Sequence, residues 1–246
     1  MKRILIFIIL VLGISNLNAK NPIFSPTFDD IVKQIIGEDK YIFDDKNIKM
    51  KVPNFADNPV QVPIFVDATK IKDAKRLIIF ADLNPIYEIL DMKTNFLLPV
   101  FSTNIKVAQE TPLRALVQDK NDLWHIGSIN INSNGGGCDV SSQASNTNSE
   151  FTKYLGKSKG KIFDKKDKKR IKASIFHPME TGLVFGNLEY YIKQIHIKEA
   201  SKTLTEIKIT AAVSENPRFI FETKKEFKNL NIEFLDSDAN DYLLKL

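Results

Sequence analysis

Ile207-Lys208-Ile209-Thr210-Ala211 and Leu230-Asn231-Ile232-Glu233-Phe234 alternate apolar with polar side chains at a period of two. That period sends alternate residues to opposite faces of an extended chain, so each run predicts a strand with one buried face. Working outward, residues 171–176, 191–198 and 219–223 read as further short strands. Upstream, residues 62–66, 76–80, 104–108, 115–118 and 123–131 do the same, bounded by Asn-Pro, Asp and Lys clusters. Within 123–131, Trp124 and Ile126 share one phase while Ile129 and Ile131 take the other, which predicts a β-bulge near Gly127. One helix is expected, over residues 25–37. Phe28, Ile31, Ile35 and Ile36 form its stripe, Thr27 and Asp30 suggest a capping box, and Gly37 stops it. Short strands with frequent turn signals and little helix point to an all-β protein built of two immunoglobulin-like β-sandwiches.

Composition supports a folded chain. Of 246 residues, 43% are hydrophobic and 17 are Phe, which excludes disorder, collagen and coiled coil as descriptions of the whole. One cysteine excludes an internal disulfide and a cysteine-built metal site. With His125, His177 and His196 the only histidines, no metal site is expected. Asp29-Asp30 and Asp44-Asp45 read as a cap and a turn, and no paired-carboxylate acid/base site emerges.

The N-terminus reads as an export signal: Lys2 and Arg3, an apolar run over 4–12, then small and polar residues to Ala19. The run is well short of the ~20 apolar residues that span a bilayer, so cleavage before Lys20 and a periplasmic location are expected, with no membrane anchor. Removing residues 1–19 takes two positive charges from the formal +5, leaving +3. Residues 153–172 alone hold nine lysines and one arginine against two aspartates, a local +8, so the remainder of the mature chain is mildly acidic. Export argues against a nucleic-acid partner for this tract. A solvated linker is the first reading, and a docking patch for an acidic partner the second.

Residues 132–149 are dominated by Gly, Ser and Asn and read as a flexible loop. The expected division is a signal over 1–19, a helical segment over 20–44, a first sandwich over 45–138, a polar and basic linker over 139–168, and a second sandwich over 169–246. Cys138 follows Gly135, Gly136 and Gly137 in the polar stretch, so it reads as a thiol on an exposed tether. No base lies beside it and Asp139 disfavours the thiolate, which argues against a self-contained cysteine hydrolase.

A family resemblance is carried by several segments in order. Val62-Pro63-Ile64, Ile79 through Asp82-Leu83-Asn84-Pro85, residues 101–108 (FSTNIKVA) and Gly135-Gly136-Gly137-Cys138 resemble the SoxY sulfur-carrier domain. His177-Pro178-Met179-Glu180-Thr181-Gly182 and Ala212-Val213-Ser214-Glu215-Asn216-Pro217 resemble its partner SoxZ. The fusion looks like the quinoprotein dehydrogenase-associated SoxYZ-like carriers. The resemblance implies two immunoglobulin-like halves that pack together, with Cys138 covalently holding sulfur intermediates and Gly135, Gly136 and Gly137 forming its arm. It implies no cofactor beyond that adduct and no catalytic residues. The implied partners are periplasmic sulfur-oxidation enzymes, cytochromes or a quinoprotein dehydrogenase. His177 and Glu180 fall where the two halves would meet, His177 reading first as a turn-forming scaffold residue. In SoxY the arm ends the chain, whereas here the chain continues and Asp139 stands in place of a glycine. A non-catalytic adaptor for a dehydrogenase, with Cys138 incidental, stays open as the alternative.

Overall fold

The computed structural model describes residues 20–140 and 149–246. The signal expected over 1–19 and part of the polar loop lie outside the described residues. The first half contains helix α1 (Phe28–Ile36) and strands β1 (Tyr41–Phe43), β2 (Lys49–Lys51), β3 (Val62–Asp67) and β4 (Arg76–Ala81). It continues with β5 (Glu88–Lys93), β6 (Val100–Ile105), β7 (Thr111–Gln118) and β8 (Trp124–Ile131). The second half contains a short helix α2 (Ser149–Tyr154), β9 (Ser158–Asp164), β10 (Lys169–Ile175) and β11 (Ile192–Glu199). It ends with β12 (Lys202–Ile209), β13 (Arg218–Thr223), β14 (Leu230–Asp236) and β15 (Asp241–Lys245).

These strands form two layers, of immunoglobulin-like character as the alternating pattern predicts. One sheet runs β1-β8-β7-β4-β5-β12-β11-β14-β15 and the other β2-β3-β6-β13-β10-β9. Each half contributes strands to both layers, and the halves are fused edge to edge. In the larger sheet β5 pairs antiparallel with β12, setting Met92 opposite Ile207 and Leu90 opposite Ile209. In the smaller sheet β6 pairs antiparallel with β13, setting Phe101 opposite Phe221. Both sheets therefore cross the junction without a break, and one apolar core fills the space between them from Val62 and Leu77 to Phe219 and Phe234. The Phe101 ring lies 6.3 Å from Phe219 and 5.7 Å from Phe221, so aromatic packing closes the seam.

The basic tract is where the linker reading fails. Residues 158–164 are strand β9, paired along its whole length with β10 from Lys169↔Asp164 to Ile175↔Ser158. Lysines on the outer phase hid the strand, because its inner phase offers only Gly160 and Ile162. The bare backbone of Gly160 leaves room for two leucines: a Cβ would sit 2.5 Å from the Leu246 side chain and 2.8 Å from Leu244.

The expected bulge near Gly127 is also absent, since β7 and β8 pair without a register shift from Thr111↔Ile131 to Gln118↔Trp124. The change of phase has another cause, which is that this sheet is covered on both faces. Trp124 and Ile126 join Ile78, Phe80 and Leu116 beneath α1, against Phe28, Ile31, Val32 and Ile36. Ile131 faces the other way, into the core between the sheets. The capping box does not form either. Thr27 makes no side-chain cap, and its hydroxyl donates instead to the Asp82 carbonyl at 2.7 Å, pinning the helix to the sheet.

A buried ion pair completes that anchor. Arg114 and Asp82 are both fully buried and meet at 2.9 Å. The guanidinium also donates to Asn21 Oδ1 at 3.0 Å, Ser128 Oγ at 2.8 Å and the Ile23 carbonyl at 2.6 Å, and lies over the Phe28 ring. Five donors in a fixed fork suit Arg to this task, satisfying one carboxylate and ordering the segment that leads into α1.

Candidate functional site: a thiol seated between the two halves

The chain leaves β8 and runs back along the β6–β7 connection. Gly135 N–H donates to Ser133 Oγ at 3.0 Å, Gly136 N–H to the Ala108 carbonyl at 2.9 Å and Gly137 N–H to the Val107 carbonyl at 2.9 Å. Gly135 and Gly136 take φ of +80° and +85°, where side chains are disfavoured. Gly137 is needed for a second reason: a Cβ would fall 2.1 Å from the Pro59 carbonyl oxygen. The glycines thus let the arm lie flat in a backbone channel.

Cys138 is completely buried, which corrects the expectation of an exposed tether. A polar, glycine-rich sequence around a thiol predicts exposure only if nothing packs over it, and here the second half does. The Thr181 hydroxyl donates to the Cys138 carbonyl at 3.3 Å and accepts from Leu183 N–H at 3.2 Å. One hydroxyl therefore ties the arm to the base of a loop whose tip exposes Phe185 and Leu188.

Lys106, just past β6, is the residue the sequence reading missed. In phase with Asn104 and Ala108 it reads as a solvated strand position, yet it is buried. Its ammonium donates to the Met179 and Ala211 carbonyls, the latter at 3.0 Å, and its backbone N–H donates to the Ala212 carbonyl at 2.8 Å. All three acceptors belong to the second half, so Lys106 fastens the halves together beside the arm. Asn84 supports it from below, donating to the Lys106 carbonyl at 2.8 Å and accepting from Ala108 N–H at 3.0 Å.

The two groups shape each other's ionisation. Burial pushes the Cys138 thiol up to about 11; the Lys106 charge pulls it back and Asp139 pushes it further up. Burial lowers Lys106 to about 8, against the opposing pull of Cys138, Glu180 and Glu215. With the arm seated, the sulfur is a neutral thiol at physiological pH, and the nucleophilic thiolate is scarce.

Of the two expected interface residues, Glu180 lies in this cluster, buried and within the field of Lys106. Its backbone exchanges hydrogen bonds with Tyr190, at 2.7 Å and 3.1 Å. His177 is fully buried in the adjoining scaffold. Its N–H donates to Asn216 Oδ1 at 3.1 Å, its carbonyl accepts from Asn216 N–H at 2.8 Å, and its Nδ1 accepts from Met179 N–H at 3.3 Å. The ring packs 4.5 Å from Tyr190, and Nε2 stands 3.8 Å from Asp236 Oδ2. Burial lowers its pKa to about 4, which Asp236 only partly opposes. It is a neutral scaffold histidine that positions the loop over the arm. His125 and His196 lie away from the site, paired with Asp44 at 2.8 Å and Glu233 at 2.9 Å. Among the described residues no group of three or more His, Cys, Asp and Glu could hold a metal ion, and no helix is long and apolar enough to cross a membrane.

Fold and site together define a class: a two-layer immunoglobulin-like protein that holds a lone thiol on a glycine arm in the seam between two halves. Comparison with protein families places both halves. The family described as "Sulfur oxidation protein SoxY" matches residues 32–138, and that described as "Sulphur oxidation protein SoxZ" matches residues 161–242. Among solved structures, the chain is similar to the sulfur carrier protein SoxY from Chlorobium limicola f thiosulfatophilum. The two are 20% identical, over 44% of this chain and 96% of that one, with a TM-score of 0.38. It is also similar to the β-glucuronidase of Parabacteroides merdae, at 9% identity over 81% of this chain and 24% of that one, with a TM-score of 0.26. At those scores neither likeness bears on function. No curated protein matches the chain. The chain belongs to the SoxY and SoxZ sulfur-oxidation families, as a SoxYZ-like fusion with the SoxY domain first and the SoxZ domain second.

Proposed function

We propose that this protein is an exported covalent carrier that holds a sulfur-containing intermediate on Cys138 and presents it to periplasmic sulfur-oxidation enzymes, with no turnover of its own. The observation that carries the reading is that the single cysteine ends a Gly-Gly-Gly arm at the junction of a SoxY and a SoxZ domain. The chemistry suits the residue. A thiolate attacks a sulfur electrophile, a sulfur–sulfur bond forms, and the leaving group departs with the electron pair. A carrier needs no base beside its thiol, because the enzyme that receives the arm supplies one. The seated arm supports this division of labour: buried and protonated, the thiol is protected from oxidants, and loading follows release from the channel formed by Pro59, Val107 and Ala108.

Intact-mass spectrometry of protein taken from periplasm of cells fed reduced sulfur compounds tests the reading. Sulfur-sized mass increments on the mature chain are expected, lost on reduction and absent in Cys138→Ser. An unmodified thiol under those conditions overturns it in favour of an adaptor with an incidental cysteine, as does catalytic turnover of sulfur substrates by the isolated protein.

A further inference from the structure

The basic tract divides into two electrostatically different ends. At one end three of its cations, Lys168, Lys169 and Arg170, are paired with carboxylates of the protein. Arg170 meets the buried Glu222 at 2.6 Å, Lys168 meets the same carboxylate at 2.5 Å, and Lys169 meets Asp164 at 2.8 Å. At the other end Lys159, Lys161 and Lys172, joined by Arg218 from β13, are exposed and have no carboxylate within ion-pair distance among the described residues. They surround a groove of about 460 Å³ floored by Phe163, Ser174 and Ile220.

This arrangement works against the fold's own stability. Lys161 stands directly opposite Lys172 across the β9–β10 ladder, and like charges directly opposite each other are destabilising. Both ammonium groups lean on the one Phe163 ring, 5.4 Å and 5.2 Å from its centroid. Protection of an exposed edge accounts for lysines on β9, the outermost strand of its sheet. It does not account for Lys172 one strand inward or Arg218 two strands inward.

We propose that this face docks an acidic protein surface. The ladder bonds on both sides of β10 consume its backbone N–H groups, so the groove offers a small anion no amide cradle. The cations instead sit on flexible stems spread over three strands roughly 4.8 Å apart, a spacing that suits several carboxylates on a surface. A single-stranded nucleic acid would stack its bases on a free ring, and Phe163 is already covered by two ammonium groups. A lipid surface would need apolar side chains to insert, and none of the exposed large apolar residues belongs to β9, β10 or β13.

The groove borders the segments that lead to the arm. Ser174 and Thr181 are separated by seven residues, at most ~25 Å of chain. Arg218 is two residues from Asn216, the partner of His177. A partner seated here would lie beside those segments. That the partner exchanges cargo there rests on the carrier reading, whereas the docking face itself does not.

Titration of the isotope-labelled full chain with a deca-glutamate peptide, followed by NMR, tests the proposal. Amide shifts confined to β9, β10 and β13 are expected, with affinity falling at least tenfold between 50 and 300 mM salt. K161E/K172E, or K161Q/K172Q should the first variant not fold, abolishes the shifts. K193E/K202E, the same charge change on the other sheet, leaves them intact. Cys138→Ser binds like the parent, so failure of the carrier reading and failure of the docking face are read separately. Shifts elsewhere, binding indifferent to the K161/K172 changes, or tighter binding of a dT10 oligonucleotide or of vesicles containing phosphatidylglycerol overturns the proposal.

Discussion

The SoxY half and the SoxZ half share two sheets but are stabilised in different ways. In the first half, β4 and β7 are buried along nearly their whole length because α1 covers the face turned away from the core. In the second half, β14 along its length and β12 from Leu204 onward alternate between buried and half-exposed or exposed positions, with no helix over them among the described residues. The first half is a three-layer anchor locked by an internal ion pair, and the second is a two-layer wing with an open outer face. The difference teaches where each half can yield. The anchor supplies the carbonyls that hold the arm, while the wing contributes the Thr181 hydroxyl that ties it down.

The strongest way to break this comparison is to unlock the anchor. Arg114→Met leaves Asp82 buried without its partner and is expected to cost about 3–5 kcal/mol in urea unfolding. A loss of less than about 1 kcal/mol would mean that α1 and its ion pair are accessory, and the two halves equivalent.

Next in size is a pH effect confined to the wing. The folded pKa of His177 is lowered to about 4 from an ordinary value of 6.5. The unfolded chain therefore binds the extra proton first, and the stabilisation present above pH 6.5 is lost as pH falls through 4. The expected loss is about 3 kcal/mol. His177→Gln should flatten that segment of the stability–pH curve, and an unchanged curve would show that His177 is not the titrating group.

A third change loosens the arm while sparing both halves. Gly137→Ala drives a Cβ into the Pro59 carbonyl, so the seated state is lost and Cys138 alkylation by iodoacetamide at pH 7.5 should rise at least tenfold. Equal rates would show that the thiol is reached without leaving its channel.

The smallest effect belongs to the open face of the wing. Lys198→Ala removes a 2.9 Å ion pair with Glu233 on a strand surface and should cost under about 1 kcal/mol. A larger cost would make that face more than a solvated surface.

The same contrast explains what could be read from the chain. Strands of the wing such as β12 and β14 were legible because one face meets water and the other does not, which is what a period of two records. The run at 76–80 was legible as a continuous apolar strand, but the phase change at Gly127 suggested a bulge when the cause was a second covering layer. β5 was missed because Glu88, Asp91 and Lys93 break its apolar pattern, although it carries the pairing that joins the halves. At the site, Cys138 and its glycines were visible because rare residues in an unusual run stand out. Lys106 was not, because its burial depends on carbonyls contributed from Met179 and Ala211, far along the chain. The sequence singled out Cys138 but did not show its seat.

The double attachment of the arm limits how far it can extend. With the chain pivoting at Gly135, three residues separate the hinge from Cys138, so the thiol-bearing Cα can travel at most ~11 Å from that point. A chain-terminal arm can thread a narrow shaft, but a loop must enter as two strands side by side. The carrier reading proposed above therefore requires an enzyme whose reaction centre is shallow and wide-mouthed, set within about a nanometre of the surface it presents.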